Sequence, residues 1–330
     1  MNKLTFRCLV LLAAMLCLGS CNDEKTEDLV QVKMNVSLDF SEAPLPITRA
    51  ERETFRRRFI VDAYDNENTV RPAARKVIIL DLDEAGESGS SFRLPVEMLL
   101  PTREYTLVVW SDFVEMTTGT DYFYDTATLA SVSCMPAYYP GHAKRPAHSG
   151  VAMLDLAEHD WSTGNVQQIE VQMHQTVAPI VLKALDYEML KATYGKELLE
   201  GATLHISYAT PFTGFNALIG EPVTSSQPLA FSLPLEAPKK DVTVTTLLSD
   251  YMFVGASEEP TLLSLSLTVL AGDGTELNKV ENLSIPFKRR YLTTVTGNIL
   301  TSSFTNSLVI DTAFDEEDQI YDLDNNLKNN

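Results

Sequence analysis

Leu29-Val30-Gln31-Val32-Lys33-Met34-Asn35-Val36-Ser37-Leu38-Asp39-Phe40 is the stretch on which the fold turns. Val30, Val32, Met34, Val36, Leu38 and Phe40 alternate with mostly polar neighbours. Successive side chains of a strand point to opposite faces, so this period of two predicts a half-buried β-strand of about ten residues. The same signal recurs along the chain. It predicts strands over Phe59 to Tyr64, Lys76 to Leu82, Phe92 to Met98, Tyr105 to Trp110, Gln167 to Met173 and Val177 to Ala184. Further strands are expected over Leu204 to Tyr208, Val242 to Ser249, Leu263 to Val269, Tyr291 to Leu300 and Ser307 to Ile310, with a hairpin turn at Asp273-Gly274.

One helix interrupts this pattern, over Asp186 to Glu200, with Asp186 placed to cap its start and Gly201 to stop it. Many short strands separated by turns imply β-sandwiches, and 330 residues imply two of them. The expected partition is a signal peptide over 1–20, a lipidated leader with the first strand over 21–50, one sandwich over 51–180, and a second over 181–330 ending in an acidic tail. Two segments read as irregular. Arg49 to Arg58 is charged and reads either as a protease-exposed connection or as a solvated basic segment, and 111–150 reads as a surface flap packing its own Tyr122, Phe123, Tyr124, Tyr138 and Tyr139.

Charge narrows the function. Lys plus Arg total 26 and Asp plus Glu 45, for a formal charge of -19. Such a chain repels phosphate backbones, which argues against nucleic acid as a partner.

The amino terminus reads as a processing signal. Lys3 and Arg7 precede an apolar run from Cys8 to Leu18 that is shorter than the roughly 20 residues a membrane-spanning helix needs. The run ends in Leu18-Gly19-Ser20-Cys21, which resembles a bacterial lipobox, with Cys21 as the residue that receives lipid. Acidic residues follow at Asp23, Glu24, Glu27 and Asp28. Cys8 and Cys17 would leave with the signal, so Cys134 alone remains and no disulfide within the mature chain is expected. The fold must then rest on its apolar core.

No motif assigns chemistry. There is no GxGxxG, P-loop, HExxH, paired CxxC or GxSxG sequence. Asp81 to Phe92 resembles a calcium loop only at its start and has Phe92 where the bidentate Glu belongs. His142 and His148 share the long connection with Asp155 and Glu158 nearby, but no spacing fixes a metal site. The absence of these motifs does not by itself exclude an enzyme, but it singles out no residue: catalytic residues, metal ligands and cofactors are all read as none, and the protein is expected to be a non-enzyme.

Taken in order, several segments resemble the fimbrillin-type lipoproteins of Bacteroidales, a family that includes subunits and anchors of type V pili. They are the lipobox at Cys21, the alternating first strand, Thr48-Arg49-Ala50, and Arg58-Phe59-Ile60-Val61-Asp62-Ala63-Tyr64-Asp65. Tyr105 to Asp112, Leu248 to Phe253, Ile285 to Thr293, Gly297 to Thr301 and Val309 to Phe314 follow. Arg290 stands where the family pattern has Asn before Tyr, and the polar tail beyond Phe314 departs from a strong donor strand.

The resemblance implies an all-β fold of two transthyretin-like sandwiches with one short helix, export as a lipoprotein, and a structural role at the outer membrane and cell surface. It implies an Arg-specific protease acting between Arg49 and Ala50, which removes the first strand. It also implies partners that are other fimbrial subunits, or the chain itself, joined by strand exchange. Polymerising subunit and permanent anchor both remain open. Asp125-Thr126-Ala127 and Asp311-Thr312-Ala313 resemble the O-glycosylation signal of such bacteria, making Thr126 and Thr312 candidate sites. The alternative reading is a surface glycan-binding lipoprotein, with the aromatics of 111–150 stacking on sugar rings.

Overall fold

The computed structural model describes residues 28–39, 53–66, 69–82, 91–140, 146–158, 164–239, 242–257, 259–302, 309–313 and 319–321. Side chains are described as far as Ile310. Cys21, Phe40, Arg49, Ala50, His142, His159 and Trp161 lie outside the described residues.

Among the described residues the fold is all-β with one α-helix. The first half holds β1 (Leu29–Asp39), β2 (Phe55–Asp65), β3 (Ala74–Leu80), β4 (Ser91–Pro101), β5 (Glu104–Glu115), β6 (Tyr124–Asp125), β7 (Val132–Cys134), β8 (His148–Asp155) and β9 (Val166–Gln175). The second half begins with β10 (Val177–Ala184) and helix α1 (Tyr187–Leu199). It continues with β11 (Thr203–Tyr208), β12 (Phe212–Asn216), β13 (Glu221–Thr224), β14 (Leu229–Pro234) and β15 (Thr245–Phe253). β16 (Thr261–Leu270), β17 (Glu276–Phe287), β18 (Leu292–Gly297), β19 (Val309–Ala313) and β20 (Gln319–Tyr321) complete it.

In the first half the strands run in the order β3-β2-β5-β8-β9-β1-β4. The β8–β9 link is only two residue pairs, His148 with Gln175 and Ser149 with His174. There the sheet folds over on itself, so β1, β4 and β9 lie across a common core from β2 and β5: Val32, Met34 and Val36 share one buried cluster with Phe59, Val61, Leu107 and Val109. Gly150 sits at this crossing. A Cβ on it would meet the Gln172 carbonyl oxygen at 2.5 Å, so no larger residue lets the two sheets approach this closely.

The second sandwich packs β15-β10-β18-β19-β20 against β14-β11-β16-β17, with one core between them. β10 lies inside this sandwich, pairing with β15 antiparallel and with β18 parallel. Helix α1 ends as the sequence suggests, with Gly201 at φ +74 just beyond it. Asp186 does not cap the helix: its carboxylate accepts the backbone N–H groups of Leu300 (3.3 Å) and Thr301 (2.7 Å) and the Thr301 hydroxyl (2.7 Å) instead.

Two further expectations are corrected. The basic segment is not solvated up to Arg58, because β2 begins at Phe55 and both Arg57 and Arg58 are buried. Arg58 forms a two-pronged pair with Asp112 (2.9 and 2.6 Å) and reaches Asp121 with its third nitrogen (2.5 Å). Arg57 donates to the Ser111 hydroxyl at 3.2 Å and lies over the Phe113 ring.

Nor is 111–150 a separate flap. β6 and β7 from this connection join β12 and β13 of the second half in one four-stranded sheet, β13-β12-β7-β6. An aromatic core fills the space between the halves. Trp110, Tyr124, Phe215 and Phe253 meet there with ring centroids 5.4–6.4 Å apart, the spacing of favourable aromatic pairs.

Candidate functional site

The first strand is the candidate site. Its inward row, Val30, Val32, Met34, Val36 and Leu38, is at most 1% exposed. Fully burying such a side chain contributes roughly 1.5–3 kcal/mol. The outward row is polar and makes cross-strand contacts. Gln31 donates to Glu97 at 3.1 Å, Lys33 lies 3.9 Å from the same carboxylate, and Ser37 donates to the Gln172 amide oxygen at 2.5 Å. These exposed pairs add little energy but favour one register.

The neighbours of β1 define its slot. β4 pairs with it antiparallel from Leu29 opposite Pro101 to Asp39 opposite Ser91. β9 pairs with it parallel from Gln31 beside Val166 to Leu38 beside Met173. β4 has no other strand partner among the described residues. Its far edge is interrupted by Pro95, which cannot donate to a further strand. Withdrawing β1 would therefore open the β9 edge, detach β4 from its ladder and uncover the core row. Such an edge is a template for another strand.

The other predicted positions fall elsewhere. Thr126 is only 3% exposed, and its hydroxyl donates to Asp121 at 3.1 Å. Its carbonyl and that of Ala127 accept from Arg75, whose guanidinium is also paired in two places with Asp62 at 2.7 Å. The folded protein thus keeps this hydroxyl inside a polar network. Thr312 lies in β19, opposite Thr293 of β18. His148 is buried in β8, whereas Asp155 is exposed at the other end of that strand. Among the described residues no group of three His, Cys, Asp or Glu side chains is placed to hold a metal. Cys134 is half-buried in β7. No described helix is long and apolar enough to cross a membrane.

Electrostatics mark the junction between sheets and domains. Burial, reinforced by the positive Arg57 and by His174, pushes the His148 imidazole well below the usual histidine range, so it is neutral inside the fold. Burial opposes the charge on Arg58, but the Asp112 and Asp121 carboxylates outweigh it and raise that guanidinium further.

Sequence reasoning missed Asp250. Its carboxylate accepts the hydroxyls of Tyr138 (2.9 Å) and Tyr208 (3.0 Å) and the backbone N–H of Tyr251 (2.8 Å). Tyr138 comes from the long connection of the first half and stacks on Phe231 of the second. A carboxylate inside the largely apolar Leu247 to Phe253 run, whose other polar residue is Ser249, was the available signal, since a buried charge needs partners.

The model of a family of unknown function, DUF6562, matches residues 25–329. The chain belongs to that family. No curated protein sequence matches it. Solved structures resemble this DUF6562 member at low identity. A Bacteroides thetaiotaomicron protein described as a candidate polysaccharide-binding protein has 11% identity and a TM-score of 0.49, with 91% of this chain and 100% of that one covered. A Bacteroides ovatus protein described as a candidate adhesin has 11% identity and a TM-score of 0.45, covering 92% and 97%. The fimbrial anchor protein Mfa2 from Porphyromonas gingivalis has 12% identity and a TM-score of 0.44, covering 89% and 100%.

Proposed function

We propose that the protein is a structural lipoprotein of the cell surface, of the fimbrillin kind, whose first strand occupies an exchangeable slot. The observation that supports this most is β1 itself, an N-terminal strand seated centrally between β4 and β9 with its whole apolar row buried. The lipobox at Cys21 lies ahead of it, and Arg49-Ala50 lies between it and β2. Cleavage after Arg49 would separate the body from both lipid and β1 in one step. A strand from another fimbrial subunit, or from a second copy of this chain, then takes the vacated place. Without cleavage the chain stays an anchor or accessory protein held at the outer membrane through Cys21. The aromatics that suggested sugar stacking do not favour the glycan reading, since Phe123 and Tyr124 are buried and Tyr122 stacks on Tyr139 at 4.9 Å.

Immunogold labelling of intact cells and of sheared surface fibres tests this. Label on the outer surface or on fibres is expected; label confined to the periplasm or inner membrane would contradict it.

A further inference from the structure

We propose that β1 is a load-bearing clamp: tension between the segment ahead of Leu29 and the second sandwich is carried as shear along the parallel β1–β9 ladder. The argument is one of direction. β1 and β9 run the same way, with Gln31 beside Val166 at one end and Leu38 beside Met173 at the other. The chain enters β1 at the first end. It leaves β9 at the second end and passes directly through Thr176 into β10, a central strand of the second sandwich. A pull from the N-terminal side and an opposite pull on the second sandwich therefore slide β1 along β9. Every bond of the ladder is then loaded together. A pull on the other end of β1, beyond Asp39, would instead peel the strand from Leu38 backward, one pair at a time.

Three features suit the junction to this role. Thr176 is held by both halves: its N–H and hydroxyl both donate to the Ala147 carbonyl (2.9 and 3.0 Å), and its own carbonyl accepts from Val254 (2.9 Å). β1 is flanked by β4 as well, so sliding must break a second ladder running from Leu29 to Asp39. Beyond the junction the arrangement repeats, since β10 is parallel to β18 from Ile180 beside Thr293 to Ala184 beside Gly297. The point where load enters rests on the reading that the chain is held through Cys21. The direction of the ladder does not.

Single-molecule pulling on the full mature chain tests the clamp, because forced unfolding reads the barrier along the imposed direction. One tag goes into the turn at Asp273, exposed between β16 and β17. The other goes at Asn22 for shear or at Ser41 for peeling, with Thr48 as a second peeling position should the Ser41 insertion prevent folding. The event of interest frees the chain between Asp28 and Val166 with the Asn22 tag, about 480 Å at roughly 3.5 Å per residue, and the chain between Ser41 and Val166 with the Ser41 tag, about 440 Å. The expected force for this event is at least twofold higher with the Asn22 tag. Equal or lower force with that tag overturns the clamp. Native protein without lipid on Cys21 would overturn the anchoring reading and leave the directional result to stand by itself.

Discussion

Tyr138 donates its phenolic hydroxyl to the Asp250 carboxylate at 2.9 Å, joining a connection of the first sandwich to a core strand of the second. Asp250 is fully buried, and Tyr208 shares the same carboxylate oxygen. A hydrogen bond to a charged group is worth about 1.5–3 kcal/mol when buried. Tyr138→Phe should lower stability in urea by about 1–2 kcal/mol, since this hydroxyl is only partly buried. Asp250→Ala should cost about 3 kcal/mol or more, because it also leaves the Tyr208 hydroxyl inside the core without its acceptor. Equal effects from the two substitutions would mean that the carboxylate is not the organising group.

The two faces of β1 should respond differently. Met34→Ala removes a side chain that is 1% exposed and should cost about 2–5 kcal/mol. Lys33→Ala removes an exposed partner of Glu97 at 3.9 Å and should cost less than about 1 kcal/mol. Urea unfolding of both variants checks this. Similar losses would show that β1 is not seated in the register described.

Gly150→Ala should weaken the molecule by about 1–3 kcal/mol, the range for overfilling a packed site. The new methyl group would meet the Gln172 backbone, which cannot turn aside as a side chain can. Hydrogen exchange should show faster opening at the β8–β9 crossing. Unchanged protection of the His148 and Gln175 amides would contradict the close approach.

Stability should fall on acidification through His148. Its folded pKa lies well below the unfolded one. Below about pH 6.5 the unfolded chain therefore binds a proton that the folded chain refuses, and stability is lost as pH drops. Above that pH the residue is neutral in both states and costs nothing. Between pH 7.5 and 5.5 the protein should lose more stability than the His148→Gln variant does. Parallel losses in the two proteins would show that another group governs the acid limb.

How much of this was legible in the sequence depends on the range of the interactions. β1 and β16 could be read because strict alternation is local, and α1 because Gly201 marks its end. The sheet joining the halves could not be read. β6 and β7 are two and three residues long, and Phe212 to Asn216 contains Gly214, so it reads as a turn until β7 and β13 are seen beside it. Arg57 and Arg58 looked solvated because their partners Ser111 and Asp112 lie 54 residues away. Asp186 stands where a helix cap belongs, yet its carboxylate serves Leu300 and Thr301, more than a hundred residues on. The slot of β1 was legible as a strand but not as a position between β4 and β9, since pairing partners leave no mark in alternation.

On the proposed strand exchange, the place between β4 and β9 is never left empty in a folded molecule. Native mass spectrometry of protein released from the cell surface tests it, because one spectrum reports both the N-terminus and any bound chain. Two species only are expected: a chain beginning at lipid-bearing Cys21 with its own β1, or a chain beginning at Ala50 that always carries another strand-bearing chain. A folded monomer beginning at Ala50 with nothing bound would contradict it.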